Sequence, residues 1–463
     1  MTNTYDALVI GAGQAGPPLA GQLTAAGMSV ALIERKLMGG TCVNTGCIPT
    51  KTLVASAYAA RLARRAMEYG VRIEGEVAVD MKAVKARKDM VSTKAQMGVE
   101  SWIDRMERCT VYRGHARFVS PREVQVGGDR ITAKHIFINV GGRALIPDLP
   151  GIDRVATLTN TSILELDTLP QHLVVVGGSY VGLEFAQIYR RFGSAVTVVE
   201  KAPRLIARED EDVSAAVKEI LEAEGVAVRL DAECIRFEPR GAEIAVGVEC
   251  AFGAPVVIAS HVLLAVGRQP NTDDLGLDKA GIDIDPRGYI VVDDELRTSA
   301  PGVWALGDCN GRGAFTHTSY NDFEIVAANL LDGERRRVRD RITGYALYID
   351  PPLGRAGMTE AQARATGRPL LVGRRPMTRV GRAIEKGETQ GFMMAIADAE
   401  THHILGAAIL GTGGDEAIHG ILDAMNAGIP YTVLQRAVPI HPTVSELIPT
   451  LLGEMKPIAP QSP

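Results

Sequence analysis

The sequence predicts an α/β protein with two Rossmann-like nucleotide-binding domains and a C-terminal α+β domain. A strand, a glycine-rich turn and a helix follow one another near the N-terminus, and the same arrangement recurs from residue 173. The character of the chain changes again near residue 344, where alternating strands lead to a helix. A chain of 463 residues is also too long for one ordinary core, so several domains are expected.

The first nucleotide-binding unit begins with a short apolar strand predicted over Tyr5–Ile10. The glycines of a G-x-G-x-x-G motif follow at Gly11, Gly13 and Gly16. They allow a tight turn and a close approach of the backbone to a pyrophosphate, whose charge then faces a helix N-terminus. Glu34 ends the next strand at the usual offset for accepting a ribose hydroxyl. The flanking strand and helix, together with this acid, make the motif specific.

The second unit repeats this order. A strand over Leu173–Val176 leads into a turn that contains Gly177, Ser179 and Gly182, and the following strand ends at Glu200. Ser179 replaces the middle glycine and leaves less room for a pyrophosphate. The presence of two nucleotide-binding units in one chain is the main organisational feature of the sequence.

The charges after the second unit bear on the choice of coenzyme. The carboxylate of Glu200 favours the free 2′-hydroxyl of NADH, because it would repel the 2′-phosphate of NADPH. Three cations, Lys201, Arg204 and Arg208, favour NADPH instead. We predict NADH as the coenzyme and keep NADPH as the alternative.

Two cysteines, Cys42 and Cys47, lie five residues apart just after the first unit. A regular helix would separate their Cα atoms by about 8.5 Å, whereas a disulfide tolerates at most about 7 Å. A bridge therefore requires a distorted backbone, for which Gly46 supplies flexibility and Pro49 a break. Such a local bond is a poor structural staple and a plausible redox switch. The alternatives are two buried thiols or half of a metal site, and no partner ligands for a metal lie nearby.

The segment around these cysteines, GGTCVNTGCIPTK from Gly39 to Lys51, resembles the active-site segment of the flavin-dependent pyridine nucleotide-disulfide oxidoreductases. That family includes dihydrolipoamide dehydrogenase, glutathione reductase and mercuric reductase. Thr45 is the main departure, since the family usually has Val or Ile there. The resemblance implies a bound FAD that is contacted by Gly40, Thr41 and Lys51.

Four further stretches carry the same resemblance and extend the expected FAD site. Residues 114–118 resemble the family's adenine-contacting stretch, and residues 139–143 resemble its crossover out of the flavin domain. Residues 267–272 resemble its return to that domain, and residues 298–308 resemble its second flavin fingerprint. The residues assigned to cofactor contacts on this basis are Ala116, Gly141, Gly267 and Asp308. Asp308 follows a predicted strand in a Gly-Asp turn, where the resemblance implies that its carboxylate accepts from the ribityl chain.

The resemblance also implies catalytic roles for the residues around the cysteines. It makes Cys47 the thiolate next to the flavin ring and Cys42 the thiol that exchanges with the substrate. Lys51 is expected near the flavin N5, in an ion pair with Glu184. This ion pair would stabilise negative charge on the reduced flavin.

A histidine and a glutamate near the C-terminus complete the expected catalytic set. The stretch IHPTVSE contains His441 and Glu446, five residues apart. A histidine before a proline is by itself an ordinary loop residue. In this family, however, the two side chains form an acid–base pair that reaches the cysteines of the other subunit. The resemblance therefore implies a homodimer with shared active sites.

The resemblance covers nearly the whole chain and divides it into four segments. Residues 1–149 form the first part of an FAD-binding domain, and residues 150–270 form an NAD(P)H-binding domain. Residues 271–343 return to the FAD-binding or central domain. Residues 344–463 form a dimerisation domain.

The substrate is expected to be a small oxidant. Phe315–Phe323 is similar to a stretch of the mercuric-reductase-like branch, which includes the reactive-chlorine-resistance flavoprotein and hypothiocyanous acid reductases. Mercuric reductase uses a C-terminal cysteine pair and lacks the histidine, whereas here the last cysteine is Cys309 and His441 is present. We therefore predict reduction of a small disulfide or an oxidised, thiol-like reactive species. The alternatives are a mercuric or other metal ion reductase, an activity like that of dihydrolipoamide dehydrogenase or glutathione reductase, and a flavin redox sensor without turnover.

Composition and charge argue against several other partners. The formal net charge is −5 and no basic tract stands out, so nucleic acid is not expected. No segment approaches the ~20 unbroken apolar residues of a membrane helix, and Met1 leads directly into a strand. A cytoplasmic location follows by default. The other cysteines, which are interpreted as bystanders, are Cys109, Cys234, Cys250 and Cys309.

Overall fold

The protein is described by a computed structural model that covers residues 2–233, 235–249 and 254–458, so the single cysteines Cys234 and Cys250 lie outside the described residues.

The first sheet is built around the first glycine-rich unit. Thr2–Ile10 is flanked in parallel by Val30–Glu34 and by Asp129–Ile138. The sheet is completed by Cys109–Arg113, Ala116–Ser120, Glu123–Val126 and Val303–Ala305.

The second unit forms a smaller parallel sheet. Its strands, in spatial order, are Val226–Arg229, Ala195–Val199, His172–Val176 and His261–Leu264. An antiparallel sheet lies beside it, made of Arg236–Arg240, Glu243–Gly247 and Val256–Ala259. A further strand pair joins Gly142–Ala144 to Arg268–Pro270. In both units a parallel strand leads through a glycine turn into a helix, as the sequence predicts.

The C-terminal part of the chain is an antiparallel sheet with a helix packed on it. The strands, in spatial order, are Gly344–Leu347, Leu353–Gly357, Ile404–Leu410, Phe392–Asp398, Leu370–Pro376 and Lys456–Ile458. The helix Gly414–Asn426 buries Ile418 and Ile421 against this sheet. The predicted class, two Rossmann-like domains and a C-terminal α+β domain, is confirmed.

The helices connect these sheets. The α-helices are Gly16–Ala25, Gly40–Asn44, Cys47–Arg64, Met81–Asp104, Tyr180–Phe192, Glu211–Ala223, Leu277–Ala280, Thr316–Ala327, Glu360–Ala365, Gly381–Glu385, Gly414–Asn426, Tyr431–Gln435 and Ile448–Gly453. The 3-10 helices are Ala66–Tyr69, Ile152–Arg154, Ser162–Glu165, Gly307–Asn310, Val338–Asp340, Met377–Arg379 and Ser445–Leu447, and Ala328–Asp332 is a π-helix. Within the described ranges, no helix is long and apolar enough to cross a membrane.

The structure differs from the residue pattern of the sequence in two details. Val111–Phe118 has the pattern of a single strand, but the strand is broken at Gly114, whose φ of 155° is a conformation that favours glycine. The Ala- and Arg-rich pattern of a helix begins at Leu53, whereas the helix itself begins earlier, at Cys47. Pro49, which was expected to break the chain, lies instead in the first turn of this helix, where its missing N–H leaves no hydrogen bond unmade.

Candidate active site

The two cysteines lie on either side of a break between two helices. We call residues Gly39–Lys51 the redox segment. Cys42 belongs to the short helix Gly40–Asn44, and Cys47 is the first residue of the helix Cys47–Arg64. A Cβ atom on Gly46 would lie 2.8 Å from the Thr41 carbonyl oxygen and 3.2 Å from the Cys42 Cα. Only glycine permits this close approach, so the predicted distortion of the backbone is present.

The two thiols contact each other, and both are free in this structure. Cys42 is partly buried and Cys47 is exposed. The pKa of Cys47 is lowered to about 6, most of all by hydrogen bonding with the Cys42 side chain. Burial opposes that change, whereas the Thr316 hydroxyl, 3.3 Å from the Cys47 Sγ, and the charge of Lys51 add to it. Cys47 is therefore the thiolate of the pair near neutral pH.

Cys42 behaves in the opposite way. Its hydrogen bond to Cys47, its burial and the negative charge of Cys47 all raise the pKa of Cys42 far above the ordinary value of a thiol. Two interacting thiols lose their protons in separate steps, because the first negative charge opposes the second. The first proton leaves Cys47, and Cys42 keeps its proton until a base removes it.

Lys51 and Glu184 form the ion pair that the sequence analysis expected. Lys51 Nζ lies 2.7 Å from Oε2 and 3.0 Å from Oε1 of Glu184, whose side chain is only 6% exposed. Glu184 lies on the helix Tyr180–Phe192, which we call the coenzyme helix. The Tyr348 backbone N–H donates to Oε1 of Glu184, and the Lys51 ammonium lies 4.5 Å from the centre of the Tyr348 ring. The lysine is thus held by contacts from two other parts of the chain.

The first glycine turn has the geometry of a nucleotide cradle. A Cβ on Gly11 would lie 2.2 Å from the Asn139 carbonyl oxygen, and one on Gly16 would lie 2.1 Å from the Gly11 carbonyl oxygen. Glu34 accepts from the Ala12 N–H at 2.8 Å, which places its carboxylate beside the turn. These positions leave no room for side chains and keep the N-terminus of the helix Gly16–Ala25 open. The residues present therefore fit a dinucleotide such as FAD.

The second glycine turn has the same construction. A Cβ on Gly177 would lie 2.4 Å from the Ala265 carbonyl oxygen, and one on Gly182 would lie 2.2 Å from the Gly177 carbonyl oxygen. Glu200 accepts from the Gly178 N–H at 2.6 Å. Ser179 precedes the coenzyme helix, and its side chain makes no capping hydrogen bond to that helix. The residues here fit a second dinucleotide.

Of the other residues assigned to FAD, Ala116 and Asp308 lie at or just beyond ends of strands of the first sheet, and Gly141 and Gly267 directly precede the strands of the pair Gly142–Ala144 and Arg268–Pro270. Asp308 lies at the start of a 3-10 helix, 3.5 Å from Arg268 Nε, and burial raises the pKa of its carboxyl. Gly141 and Gly267 have φ values of 63° and 145°, and Ala116 is buried at the start of its strand. Backbone conformation is therefore the constraint at Gly141 and Gly267, whereas Asp308 presents a carboxyl group.

The histidine pair is assembled but faces outward. His441 Nδ1 lies 2.8 Å from Oε2 of Glu446, as predicted, and 81% of the His441 side chain is exposed. Arg382 donates to the Pro442 carbonyl at 2.7 Å and so holds the loop beside the histidine. Two apolar neighbours, Val438 and Ile440, are 96% and 80% exposed. The described chain brings His441 to Glu446 and gives no hydrogen bond from His441 to either cysteine.

Three contributors to this site have no local signal in the sequence. Thr316 contacts the Cys47 thiol from the helix Thr316–Ala327, within the stretch that is similar to the mercuric-reductase-like branch. Tyr348 contacts both members of the ion pair. Asp322 accepts from the Gly307 N–H at 2.8 Å and pairs with Arg341, which fixes the turn before Asp308. Each contact joins distant parts of the chain, so a local pattern could not reveal it.

The fold and the cysteine site are those of a flavoprotein disulfide oxidoreductase. The chain belongs to the pyridine nucleotide-disulphide oxidoreductase family. The family description matches residues 5–322, and its dimerisation domain matches residues 343–452. The chain is therefore an oxidoreductase of a family that uses flavin and a pyridine nucleotide, and it carries a dimerisation domain. This confirms the family that the redox segment indicated.

Three relatives show the range of proteins that this chain resembles. The chain is 36% identical to the probable pyridine nucleotide-disulfide oxidoreductase RclA of Escherichia coli (strain K12), over 98% of this chain and 100% of that one. It is 33% identical to a dihydrolipoyl dehydrogenase of Thermus scotoductus, over 96% and 95% of the two chains. It is 31% identical to a mercuric reductase of Bacillus cereus, over 96% and 70%.

Solved structures give the same result. The chain superimposes on the Cu(II) complex of the HOCl-induced flavoprotein disulfide reductase RclA from Escherichia coli with a TM-score of 0.89. The identity is 36%, and the match covers 97% of this chain and 99% of that chain. The chain therefore shares the fold of this solved flavoprotein disulfide reductase over nearly its whole length.

Proposed function

We propose that this protein reduces a small oxidised sulfur species, either a disulfide or a thiol-reactive oxidant such as hypothiocyanite, with electrons from NADH. The observation that carries the proposal is the pairing of a low-pKa thiol, Cys47, with a protonated thiol, Cys42, beside the Lys51–Glu184 ion pair. When bound, FAD and the nicotinamide supply hydride transfer and pass two electrons to the cysteines. Cys42 and Cys47 then reduce the acceptor beside the Lys51–Glu184 ion pair.

The chemistry with a disulfide acceptor is a two-step exchange. Cys42 loses its proton to a base and attacks one sulfur of the acceptor, which forms a mixed disulfide and releases the first thiolate. That thiolate takes the proton back from the base. The Cys47 thiolate then attacks the Cys42 sulfur, forms the Cys42–Cys47 disulfide and releases the second thiolate. Two electrons move from the cysteine pair to the acceptor.

The base for Cys42 is proposed to be His441 of a second copy of this chain. The raised pKa of Cys42 means that it needs a base, and His441 is oriented by Glu446 with most of its ring exposed. A histidine held by a carboxylate is suited to taking and returning a proton near neutral pH. A homodimer would bring the exposed pair of one subunit to the cysteines of the other.

NADH is the proposed coenzyme, because Glu200 lies where an adenosine ribose is expected. Its two carboxylate oxygens accept from the backbone N–H groups of Gly178 and Ala202, at 2.6 and 2.8 Å. Arg204, which had favoured NADPH, is occupied by Glu211 at 3.1 Å and by the Ala207 carbonyl oxygen. The proposal is supported by this fixed negative charge and by the pairing of Arg204, both of which disfavour a 2′-phosphate.

Mercuric ion reduction is the second candidate function. A close pair of thiols is a good ligand for a soft metal ion, and one relative is named a mercuric reductase. Capture of Hg²⁺ is not turnover, however, because the ion must exchange from carrier thiols onto the active-site pair. The chain offers no cysteine after Cys309 for such a relay. We expect Hg²⁺ to be a slow substrate or an inhibitor.

A panel of acceptors tests the proposal. The purified flavoprotein is given NADH or NADPH together with hypothiocyanite, glutathione disulfide, lipoamide, Hg²⁺ with excess thiol, or Cu²⁺, and kcat/KM is measured for each. We expect an oxidised sulfur species to exceed Hg²⁺ by at least about tenfold, which corresponds to ~1.4 kcal/mol in the transition state. The opposite order would contradict the proposed substrate class. NADH oxidation that does not respond to any acceptor would favour a redox sensor.

A further inference from the structure

We propose that Tyr348 is a positioning residue of the cysteine site, because its ring holds the Lys51 ammonium against Glu184. The inference rests on the proposed function, in which the charge of Lys51 supports the Cys47 thiolate. Tyr348 lies in the C-terminal part of the chain, whereas Lys51 follows the cysteines and Glu184 lies on the coenzyme helix. Three separate parts of the chain therefore meet at one ammonium group.

The contacts of Tyr348 are directed at both members of the ion pair. The Lys51 ammonium lies 4.5 Å from the centre of the Tyr348 ring, within the range of a cation–π interaction. The backbone N–H of Tyr348 donates to Oε1 of Glu184 at 3.1 Å. The same residue thus fixes the carboxylate through its backbone and contacts the ammonium through its ring.

The segment after Tyr348 is anchored to the same helix. Asp350 exchanges two backbone hydrogen bonds with the Gln187 side chain, at 2.7 and 2.8 Å, and its carboxylate lies 2.7 Å from Arg191. Glu184, Gln187 and Arg191 are spaced three and four residues apart, so they share one face of the coenzyme helix. Arg191 and Gln187 are buried. The position of the Tyr348 ring is therefore set by a buried network rather than by a mobile loop.

The consequence falls on Cys47. The groups that act on this thiol are the Cys42 thiol, the Thr316 hydroxyl, the Lys51 ammonium and the Glu184 carboxylate. The ammonium lowers the pKa of Cys47 and the carboxylate raises it, so displacement of Lys51 leaves the unfavourable charge behind. Burial, followed by the charges of Asp415, Glu184, Cys47 and Glu416, raises the pKa of the Tyr348 phenol. The ring therefore acts as a neutral group.

The test uses the flavin-containing protein with Cys42→Ser, so that Cys47 is the one thiol of the pair. Tyr348→Phe keeps the ring, and Tyr348→Leu removes it. Tyr431→Leu is the matched control, since Tyr431 is a half-buried tyrosine of the C-terminal domain that packs on His402. Two readouts are measured against pH: the long-wavelength absorbance from the Cys47 thiolate beside the flavin, and the rate of Cys47 alkylation by iodoacetamide, followed by mass spectrometry.

We expect Tyr348→Leu to move the midpoint of both titrations upward by about half a pH unit, because the Lys51 ammonium is then less firmly held near the Cys47 thiolate. Tyr348→Phe and Tyr431→Leu should titrate like the parent. Equal midpoints for the Leu and Phe variants, or an equal change in Tyr431→Leu, would overturn the inference. If the absorbance is missing from the parent but alkylation still follows this pattern, the proposed flavin contact of Cys47 fails while the role of Tyr348 stands.

Discussion

The two glycine turns of this molecule are nearly the same structure with different surroundings. In each, the first glycine lies against a carbonyl oxygen of a neighbouring strand end, at Asn139 or Ala265, and the third lies against the carbonyl oxygen of the first. In each, the acid that ends the next strand accepts an N–H of the turn, at Ala12 or Gly178. The repeat seen in the sequence is therefore a repeat of contacts between atoms.

The difference lies at the middle position of the turn. In the first unit the redox segment packs directly on the turn, and a Cβ on Gly40 would lie 2.8 Å from the Gly13 Cα. Gly13 is itself confined by the side chain of Asn139, 3.3 Å from where its Cβ would be. The second unit has Ser179 at this position, with an extended backbone. The redox segment therefore packs on the middle position of the first turn, whereas the second turn carries a serine side chain at that position.

The largest effect is expected from filling the third glycine of each turn. Gly16→Ala and Gly182→Ala each place a methyl group about 2 Å from a carbonyl oxygen that cannot move without opening the turn. We expect Gly16→Ala to lose bound FAD. We expect Gly182→Ala to retain FAD and to raise the KM for NADH by at least about tenfold, or ~1.4 kcal/mol. Flavin absorbance per subunit and steady-state kinetics measure the two effects.

Each variant is the control for the other, because each changes one glycine turn and leaves the other turn intact. Circular dichroism shows whether a variant has unfolded. If Gly182→Ala lost the flavin and Gly16→Ala kept it, the assignment of the two units would be reversed.

A smaller effect is expected where the redox segment rests on the first turn. Gly40 has a φ of 62°, and Gly40→Ala would push the segment away from Gly13. A misplacement near 1 Å can cost about 100-fold in rate, so we expect disulfide reduction to fall by roughly that factor. Electron transfer from NADH to a dye that accepts directly from flavin should change by less than about threefold. An equal loss of both activities would show that the FAD contact implied for Gly40 matters more than its packing on Gly13.

The smallest effect concerns the coenzyme. Glu200→Ala removes the carboxylate that would repel a 2′-phosphate, so the preference for NADH over NADPH in kcat/KM should fall by about five- to tenfold. Glu34→Ala, the equivalent change in the first unit, should leave that preference unaltered. A native protein with a strong preference for NADPH would contradict the assignment of Glu200.

Much of this fold could be predicted because its signals are local. The glycine spacing, the acids at Glu34 and Glu200 and the alternation of strands and helices all lie within short stretches of sequence. The break at Gly114 and the early start of the helix at Cys47 were missed, since a glycine conformation and a tolerated proline depend on where neighbouring strands and turns pack. The boundaries of the four proposed segments stay a prediction.

The sequence predicts only those site residues that lie within a recognisable motif or are implied by it. Cys42, Cys47 and Lys51 lie in one distinctive stretch, and the expected partner of Lys51, Glu184, does contact it. Thr316 and Tyr348 have no local signal, because their contacts arise from packing between distant segments. The meeting of His441 with the cysteines involves a second subunit and stays a proposal.

Mixing of inactive variants tests the central claim most directly. Chains with Cys42→Ser keep His441, and chains with His441→Ala keep Cys42, so a mixed dimer has one site with both groups. If half of the dimers are mixed and one of their two sites works, activity should return to about a quarter of the wild-type value. Native mass spectrometry verifies that subunits have exchanged. Recovery near that level supports a shared active site, and no recovery in verified mixed dimers would contradict it.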